Sequence, residues 1–308
     1  MKIITLTLNP AFDIHCDADG FLPYKESILK ITSREAGGKG VNISRALSSV
    51  GTKSTALIVV GRENGDEFCR SLDNDGLAVL PIYREGRIRE NITLHEKENP
   101  ETRISFGGFS VDREVLDEVA DYIGGCDGET VVTLTGSIPS GIAAKDVLDR
   151  LCALKVAGAR VVIDSRSVSL DEITAFKPWL IKPNKDEAEK YSGTKIETPS
   201  DAAEIAKRLC SLGIENVVIS LGGDGAVLAT SGDCFFAKAP QVSVLSTVGA
   251  GDSMIAGFID AFTGGKAPTE CLRRAVAFGT AACMCEGTSP PKEFDINLIE
   301  KNIKITQV

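Results

Sequence analysis

From about Thr130 onward, short apolar runs alternate with amphipathic segments of helical spacing. Val131-Val132-Thr133-Leu134 precedes a segment from Asp146 to Ala157 with the spacing of a helix. The same alternation continues through four further segments: Arg160-Val161-Val162-Ile163-Asp164, Trp179-Leu180-Ile181-Lys182, the helical stretch 200–212, and Val217-Val218-Ile219-Ser220. Nearly continuous apolar strands separated by helices predict a parallel sheet covered on both faces, so the predicted fold class is α/β.

Two earlier regions, residues 11–35 and 87–109, depart from this pattern. They contain short alternating stretches with no helix between them, which is typical of a small separate sheet. Both leave the large domain at the ends of its early strands, so we expect them to fold over a ligand crevice as a lid. The chain has no internal repeat or linker, and we therefore expect one domain over residues 1–308.

Composition narrows the classes of protein further. The 308 residues carry a formal net charge of -9, which argues against a surface that follows nucleic acid or anionic lipid. Residues 1–10 alternate like a first strand and lack the apolar centre of a signal peptide, and no apolar run approaches the roughly 20 residues of a membrane span. Nine cysteines without a repeated spacing favour reduced thiols. We expect a soluble, cytoplasmic protein.

The strongest chemical signal lies in residues 242–262. An alternating stretch ends at Thr247, Gly249-Ala250-Gly251-Asp252 follows, and a helix with one apolar stripe comes next, so the order predicted is strand, glycine turn, helix. The glycines let backbone N–H groups approach an anion, and the helix N-terminus adds partial positive charge. Asp252 can then accept the proton of a hydroxyl that attacks phosphorus. The alternative is an ordinary N-cap aspartate.

A second glycine segment precedes a helical pattern: Gly37-Gly38-Lys39-Gly40-Val41-Asn42. The glycines permit close backbone approach to a polar ligand, Lys39 supplies a positive charge, and Asn42 offers both a donor and an acceptor to hydroxyl groups. No Ser or Thr follows the lysine, so this is not a Walker A loop. A glycine turn with a solvated lysine is the alternative interpretation.

Two later segments carry polar residues directly after predicted strands. In Lys182-Pro183-Asn184-x-x-Glu187, the oxygens of Asn184 and Glu187 suit hydrated Mg²⁺, although the same spacing is that of a capping box. Ser220-Leu221-Gly222-Gly223-Asp224-Gly225 has glycines able to hold a phosphate or admit a flat base, or it forms a hairpin turn.

In this order, the segments resemble the ribokinase-like PfkB carbohydrate kinases over nearly the whole chain, and within that family the 1-phosphofructokinase and tagatose-6-phosphate kinase branch. The residues that carry the resemblance are Thr7-Leu8-Asn9-Pro10-Ala11-x-Asp13, Gly37-Gly38-Lys39-Gly40-Val41-Asn42, Gly136-Ser137-Ile138-Pro139, Lys182-Pro183-Asn184 and Gly249-Ala250-Gly251-Asp252-Ser253. The resemblance implies a three-layer α/β/α domain with a mostly parallel central sheet and a small β-sheet lid.

The resemblance also implies an activity and a role for each matching residue. The activity is ATP-dependent phosphorylation of a phosphosugar hydroxyl, foremost fructose 1-phosphate to fructose 1,6-bisphosphate, with Mg²⁺ as cofactor. The sequence leaves open whether the lid sheet pairs with a second subunit to form a homodimer. The implied base is Asp252, with Gly249, Ala250 and Gly251 forming the anion hole. The implied sugar contacts are Asp13, Gly38, Lys39, Asn42, Arg89 and Ser137. The implied nucleotide contacts are Lys182, Asn184, Ser220, Gly222, Gly225, Thr247 and Gly279, and Glu187 organises Mg²⁺ through water.

Two departures from the branch concern the substrate. The branch usually has Asn-Arg in the lid before the first glycine segment, where this chain has Ser27-Ile28. Lys30, Arg34 and Arg103 are the candidates to replace that arginine. The second lid segment reads Gly107-Gly108-Phe109 in place of Gln-Gly-Pro. Tagatose 6-phosphate and a non-phosphorylated or otherwise anionic sugar therefore stay open as substrates.

Other classes of function fit less well. A binding-only descendant of a sugar kinase normally loses the carboxylate or the glycine turn, and this chain keeps both. A dinucleotide-binding Gly-x-Gly-x-x-Gly after an early strand is missing. The two histidines, His15 and His95, fall in the expected lid, and Cys283-x-Cys285 lacks a second ligand pair, so zinc and triad chemistry are disfavoured.

Overall fold

The computed structural model describes residues 1–18, 20–22, 24–96 and 101–308. Residues 19, 23 and 97–100, which fall within the two segments predicted as the lid, lie outside the described residues. The chain forms two sheets and a set of helices. The helices are α1 Lys39–Ser48, α2 Gly65–Asn74, α3 Glu114–Ile123, α4 Ala144–Val156, α5 Leu170–Phe176, α6 Lys185–Ser192, α7 Pro199–Ser211, α8 Ala250–Thr263, α9 Pro268–Ala282 and α10 Glu293–Glu300.

The large sheet has ten strands within the described residues, in the order β14-β13-β12-β11-β10-β9-β8-β1-β4-β5. Its strands are β1 Lys2–Thr7, β4 Thr55–Gly61, β5 Ala78–Arg84, β8 Thr130–Thr135, β9 Arg160–Asp164, β10 Leu180–Ile181, β11 Asn216–Ser220, β12 Ala226–Ala229, β13 Cys234–Lys238 and β14 Lys304–Gln307. From β11 to β5 all neighbours are parallel, whereas β12, β13 and β14 pair antiparallel. The predicted mostly parallel α/β sheet is confirmed.

Alternate residues of the central strands face opposite sides of this sheet. Leu6 of β1 and Leu134 of β8 belong to the apolar cluster that holds the buried faces of α3, α4 and α7. Ile3 and Val131 of the same strands belong to the cluster formed with α1, α8 and α9. Because both faces are covered, burial of apolar surface on each side stabilises a three-layer arrangement.

The small sheet has the order β3-β2-β6-β7, with β2 Ala11–Ala18, β3 Lys30–Gly37, β6 Arg89–Glu96 and β7 Thr102–Ile104. β2 pairs antiparallel with β3 and parallel with β6, and β6 pairs antiparallel with β7. The separate sheet expected from the alternating stretches is therefore present. β3 ends directly before α1, so the small sheet is joined to the first glycine segment without a linker.

One predicted strand is wrong. Residues 242–247 alternate in polarity, but they form no strand and join no sheet. The backbone N–H groups of Leu245 and Ser246 donate instead to the carbonyl of Cys283, after α9. β13 already pairs with β12 on one side and β14 on the other, so this segment cannot pair with the strand that precedes it.

The helix that follows this loop, α8, packs closely on its neighbours. A Cβ at Gly257 would lie 2.7 Å from the carbonyl oxygen of Arg274 in α9, so a glycine is required where the two helices touch. Trp179, before β10, packs its ring on Phe258 and Phe262 with centroids 5.7 and 4.5 Å apart. These contacts fix α8 and therefore the position of its N-terminus.

Candidate active site

One cavity of about 1150 Å³ opens at the carboxyl ends of the parallel strands, between them and the small sheet. Open parallel sheets bind ligands at this edge because loops and helix N-termini meet there. Every residue to which the resemblance assigns a role lines this cavity: Asp13, Gly38, Lys39, Asn42, Arg89, Ser137, Lys182, Asn184, Glu187, Ser220, Gly222, Gly225, Thr247, Gly249, Ala250, Gly251, Asp252 and Gly279. The structure brings them together, and their individual roles stay predictions.

The glycine turn at the start of α8 has the conformation that its sequence demands. Gly249 has φ of +77°, in the left-handed region that favours glycine, and no side chain caps the helix N-terminus. Gly251 leaves room for Lys182, because a Cβ there would lie 2.9 Å from the lysine Nζ. A lysine and an uncapped helix N-terminus therefore meet at one point of the cavity wall, and both attract an anion.

Asp252 lies in the first turn of α8, but it is not an N-cap, because Gly249 holds that position. Its carboxylate is buried, with 5% of the residue exposed, and Oδ2 accepts a hydrogen bond from Asn42 Nδ2 at 2.9 Å. Burial raises the pKa of Asp252 to about 6, against the opposing effect of Lys39. A carboxylate of this pKa is mostly ionised at neutral pH and is well suited to accept a proton.

Lys39, at the first position of α1, is not a solvated lysine. Its Nζ donates to Asp164 Oδ2 at 2.9 Å, at the end of β9. Burial disfavours the charged form of both partners. Lys182 and Lys39 nevertheless hold the pKa of Asp164 below its usual value. In the same way, Asp164 and Asp252 hold the pKa of Lys39 above its usual value. The sequence analysis recognised Asp164 only as the end of a strand. The rule that strand ends build the site was the signal that could have identified it.

The part of the cavity beneath the small sheet is rich in arginine. Asp13 of β2 is buried, and its Oδ1 accepts from Asn91 Nδ2 at 3.0 Å and from Arg103 Nη2 at 3.1 Å. Arg89 bonds only neutral oxygens among the described residues, three backbone carbonyls and the Ser137 hydroxyl. Burial lowers the pKa of Arg89 relative to its ordinary value. Two guanidinium groups facing one carboxylate leave this end with a surplus positive charge.

Of the three candidates to replace the missing lid arginine, only Arg103 lines the cavity. Arg34 pairs with Glu67 and Glu90 and stacks on Phe12, with its guanidinium carbon 3.6 Å from the ring centroid. Lys30 is exposed on β3 and does not reach the cavity wall. Ile28, at the departure itself, is 90% exposed.

At the other end of the cavity, the polar residues follow β10 and β11. Asn184 is the N-cap of α6, and its side chain and that of Glu187 form a capping box, as the alternative interpretation of that segment held. Both residues still line the cavity, and Glu187 Oε1 also accepts from Arg166 Nε at 2.9 Å. Residues 222–224 form a single 3₁₀ turn that joins β11 to β12 as a hairpin while facing the cavity.

Apolar side chains complete this end. Val242, Val244, Met254, Val276 and Cys283 line the wall around Gly279. A Cβ at Gly279 would lie 2.5 Å from Met254 Cγ, so the glycine lets the two helices α8 and α9 approach beside the cavity. An apolar slot next to glycine-rich loops suits a flat base with attached phosphates.

Five buried side-chain oxygens of residues that line the cavity have no hydrogen-bond partner among the described residues. They are Thr7 Oγ1, Asn9 Oδ1, Asn42 Oδ1, Asn91 Oδ1 and Thr135 Oγ1. Buried polar groups in proteins are nearly always paired, so clustered exceptions mark the place of a polar ligand. A sugar hydroxyl can donate a hydrogen bond to such an oxygen. Thr7, Asn9 and Asn91 were not predicted from the sequence as site residues, because their place in the cavity depends on how β1, β6 and the segment between β1 and β2 meet.

Metal ligation by protein side chains alone finds no support. Within the described ranges, no group of three or more histidine, cysteine or acidic residues is placed to hold a metal. His15 and His95 lie in the small sheet, with Nδ1 of the first 2.9 Å from Nε2 of the second. Mg²⁺ that is bound mainly by phosphate oxygens and water needs only one or two carboxylates, and Asp164 and Glu187 fit that requirement.

Comparisons with known proteins agree with this geometry and confirm the resemblance. A model of the pfkB family of carbohydrate kinases matches residues 10–295. The chain is 34% identical over 290 residues to 1-phosphofructokinase of Escherichia coli strain K12, covering 91% of this chain and 90% of that protein. It is 32% identical to 1-phosphofructokinase of Bacillus subtilis over 307 residues, 99% of this chain and 100% of that protein.

The fold has equally clear counterparts. A crystal structure of phosphofructokinase-2 from Escherichia coli in complex with substrates and products superposes with a TM-score of 0.91 at 25% identity, covering 98% of this chain and 99% of that one. The family match spans β2 to β13 and so includes both glycine segments and the small sheet. The chain belongs to the pfkB family of carbohydrate kinases and is an ATP-dependent sugar kinase.

Proposed function

We propose that this protein transfers the γ-phosphoryl group of ATP to a hydroxyl of fructose 1-phosphate, giving fructose 1,6-bisphosphate. The identity of the substrate is inferred from the surplus positive charge of Arg89 and Arg103 around Asp13, on the sugar side of the cavity. Guanidinium groups bind phosphate through paired, charge-assisted hydrogen bonds. Two relatives named 1-phosphofructokinase support the same substrate.

The order of the strands supports the placement of the two substrates. The small sheet carries Asp13, Arg89 and Asn91, whereas Lys182 and Asn184 follow β10 and Ser220 ends β11. Between them stands the N-terminus of α8. A sugar on one side and a nucleotide on the other would meet at Asp252.

Asp252 is proposed as the base that removes the proton of the attacking hydroxyl. The bond from Asn42 fixes the carboxylate through Oδ2. The proposed anion hole consists of the backbone at Gly249, Ala250 and Gly251 together with Lys182, which faces the negative charge that develops on the transferred group. Such groups stabilise charge without reorganising, because the helix and its packing already hold them.

The remaining wall residues are proposed as nucleotide contacts. Thr247 and Gly279, together with the apolar slot, would flank the base of the nucleotide. Ser220, Gly222 and Gly225 would contact the phosphates through backbone groups. Glu187 is proposed to organise Mg²⁺ through water, with Asp164 nearby in the same wall. When bound, Mg²⁺ neutralises charge on the β- and γ-phosphates.

The pKa of Asp252 predicts a pH profile. The ionised carboxylate is the active form, so kcat/KM for the sugar should be full above the pKa of about 6 and fall tenfold per unit below it. Because Lys39 lowers that pKa, Lys39→Met should move the acid limb to higher pH. Initial rates between pH 5 and 8 measure the shift. Lys53→Met, an exposed lysine outside the cavity, should leave the limb in place, and an unmoved limb in Lys39→Met would contradict the coupling.

The function is tested by measuring ADP release with Mg²⁺-ATP across a panel of acceptors. The panel holds fructose 1-phosphate, tagatose 6-phosphate, fructose 6-phosphate and their unphosphorylated counterparts. We expect the highest kcat/KM with fructose 1-phosphate. Tagatose 6-phosphate or an unphosphorylated sugar is the second candidate, favoured by Ile28 at the position of the usual lid arginine. Activity with none of them would leave a protein that binds sugar and nucleotide without catalysis.

The small sheet is proposed as the contact of a homodimer. Ile28, Ile31 and Phe106 on and beside it are 90, 62 and 53% exposed. Sedimentation should give about twice the chain mass of 32.7 kDa, and Ile31→Glu should return it to one chain. Leu298→Glu, at an exposed leucine of α10, is the matched control and should stay dimeric. A wild-type protein of single-chain mass would exclude the dimer.

The protein is proposed to be cytoplasmic because of its thiols. All nine cysteines are free, which suits the reducing cytoplasm. Within residues 1–18, 20–22, 24–96 and 101–308, none of the helices has the length and apolar character that a membrane crossing requires.

A further inference from the structure

Arg166 stands at the mouth of the nucleotide side of the cavity, two residues after β9 ends. Its side chain is 81% exposed, and Nε donates to Glu187 Oε1 at 2.9 Å. That bond to Glu187 is its one side-chain hydrogen bond among the described residues. An exposed arginine with one partner is held weakly, because solvent screens the pair and the long side chain loses freedom in it.

Glu187, in contrast, is held by its own helix. Its Oε2 accepts from the backbone N–H of Asn184 at 3.1 Å, and only 17% of its side chain is exposed. Arg166 therefore engages the oxygen of Glu187 that the helix backbone does not. Each carboxylate oxygen can accept a second hydrogen bond, but a guanidinium on Oε1 repels a metal ion placed beside it, so release of Arg166 favours the proposed role of Glu187.

The charges of this wall also favour release of Arg166 from Glu187 when a nucleotide binds. Residues 164–166 and 182–187 contain three acidic side chains and three basic ones, and they balance. The acidic ones are Asp164, Asp186 and Glu187, and the basic ones are Lys182, Lys185 and Arg166. A triphosphate brings about four negative charges to this surface, so binding it favours release of a cation that is engaged with a carboxylate. Arg166 is the exposed member of such a pair.

We propose that Arg166 is a phosphate-binding residue. It pairs with Glu187 until the nucleotide binds, and the phosphates then draw it away from Glu187. On binding, the guanidinium moves from Glu187 Oε1 to the polyphosphate, and the freed carboxylate oxygen faces the water shell of Mg²⁺. The exchange couples nucleotide binding to metal binding. It rests on the proposed function, in that it takes ATP and Mg²⁺ as the ligands of this wall.

The first test is the affinity of Arg166→Gln for nucleotides, measured by calorimetry with Mg²⁺ present. Loss of a charge-assisted bond to phosphate should weaken the non-hydrolysable analogue AMP-PNP roughly 10-fold, ADP less, and adenosine not at all. Lys195→Gln is the matched control. Lys195 is 83% exposed and pairs, away from the cavity, with Glu189 of α6, the helix that also carries Glu187. It should bind all three ligands like the wild type.

The second test separates exchange from a merely structural ion pair. Mn²⁺ titrated into the nucleotide-free enzyme should bind Arg166→Gln more tightly than the wild type, by about 3-fold, because Glu187 has lost its competitor. With ADP saturating, this difference should disappear, because the nucleotide has already drawn Arg166 from Glu187 in the wild type. A static pair that only shapes the wall predicts the same ratio of Mn²⁺ affinities with and without ADP. Equal losses for adenosine and AMP-PNP, or a ratio of Mn²⁺ affinities that ADP does not change, would overturn the proposal.

These outcomes are distinct from failure of the proposed function. If wild-type protein binds no AMP-PNP and phosphorylates no sugar, the function itself is wrong. If the wild type binds and turns over while Arg166→Gln matches it in every titration, only the role of Arg166 is wrong.

Discussion

Replacing Asp252 with Asn should reduce kcat by a factor of about 10² to 10⁴, the usual range for loss of a general base. The amide keeps the shape of the side chain and a contact to Asn42, so KM for sugar and ATP should change little. Steady-state kinetics with both substrates varied provides the measurement. The lost interaction, proton transfer to Asp252, is made only in the transition state. Therefore kcat and kcat/KM should fall together.

Asp121→Asn is the matched control for this change. Asp121 is an exposed carboxylate on α3 that does not line the cavity, so its variant should retain wild-type turnover. The melting temperature of Asp252→Asn should equal or exceed that of the wild type, since a buried charge has been removed. Turnover of Asp252→Asn within a few-fold of wild type would remove the residue from the mechanism.

Replacing Arg103 with Gln should raise KM for fructose 1-phosphate by about 10- to 100-fold, the effect of removing one or two hydrogen bonds to a charged group. KM for unphosphorylated fructose should stay nearly constant, because no phosphate contact is lost. The ratio of the two kcat/KM values is therefore the decisive quantity. Kinetics of the variant with both sugars measures it.

Arg87→Gln is the matched control, since Arg87 is 55% exposed beside the same sheet and pairs with Glu90 outside the cavity. It should leave the ratio unchanged. An equal rise in KM for both sugars in Arg103→Gln would show that the residue supports the cavity through Asp13 without reading the phosphate.

The sequence predicted the architecture well because the signals were local. Runs such as Val131-Val132-Thr133-Leu134 and the stripe on α8 are set by burial of the residues themselves, and they form the expected elements. Residues 242–247 show the limit of that reasoning. Their alternation is that of a strand, but a strand needs a partner strand, and the preceding strand β13 already pairs with β12 and β14.

The site was predictable where the chain must bend and less so where side chains meet. Gly38 and Gly249 have positive φ angles that favour glycine, and a Cβ at Gly37 or Gly251 would crowd Asp13 or Lys182, so the glycine segments predicted both halves of the cavity. The pairing of Lys39 with Asp164 joins residues 125 positions apart, and no local pattern contains it. The capping box at Asn184 was weighed from spacing alone and is present, but the engagement of Glu187 by Arg166 depends on how β9 and α6 lie side by side.

The buried oxygens of Asn42 and Asn91, which have no hydrogen-bond partner among the described residues, bear on selectivity among sugars. Each buried acceptor left without a donor costs about 1–3 kcal/mol, and a ligand hydroxyl that reaches it recovers that energy. A deoxy analogue that fits the same space leaves the acceptor unpaired. Such a cavity should reject a sugar that lacks a hydroxyl more sharply than one that carries an extra carbon, since sites built to hydrogen-bond a group reject ligands that lack it.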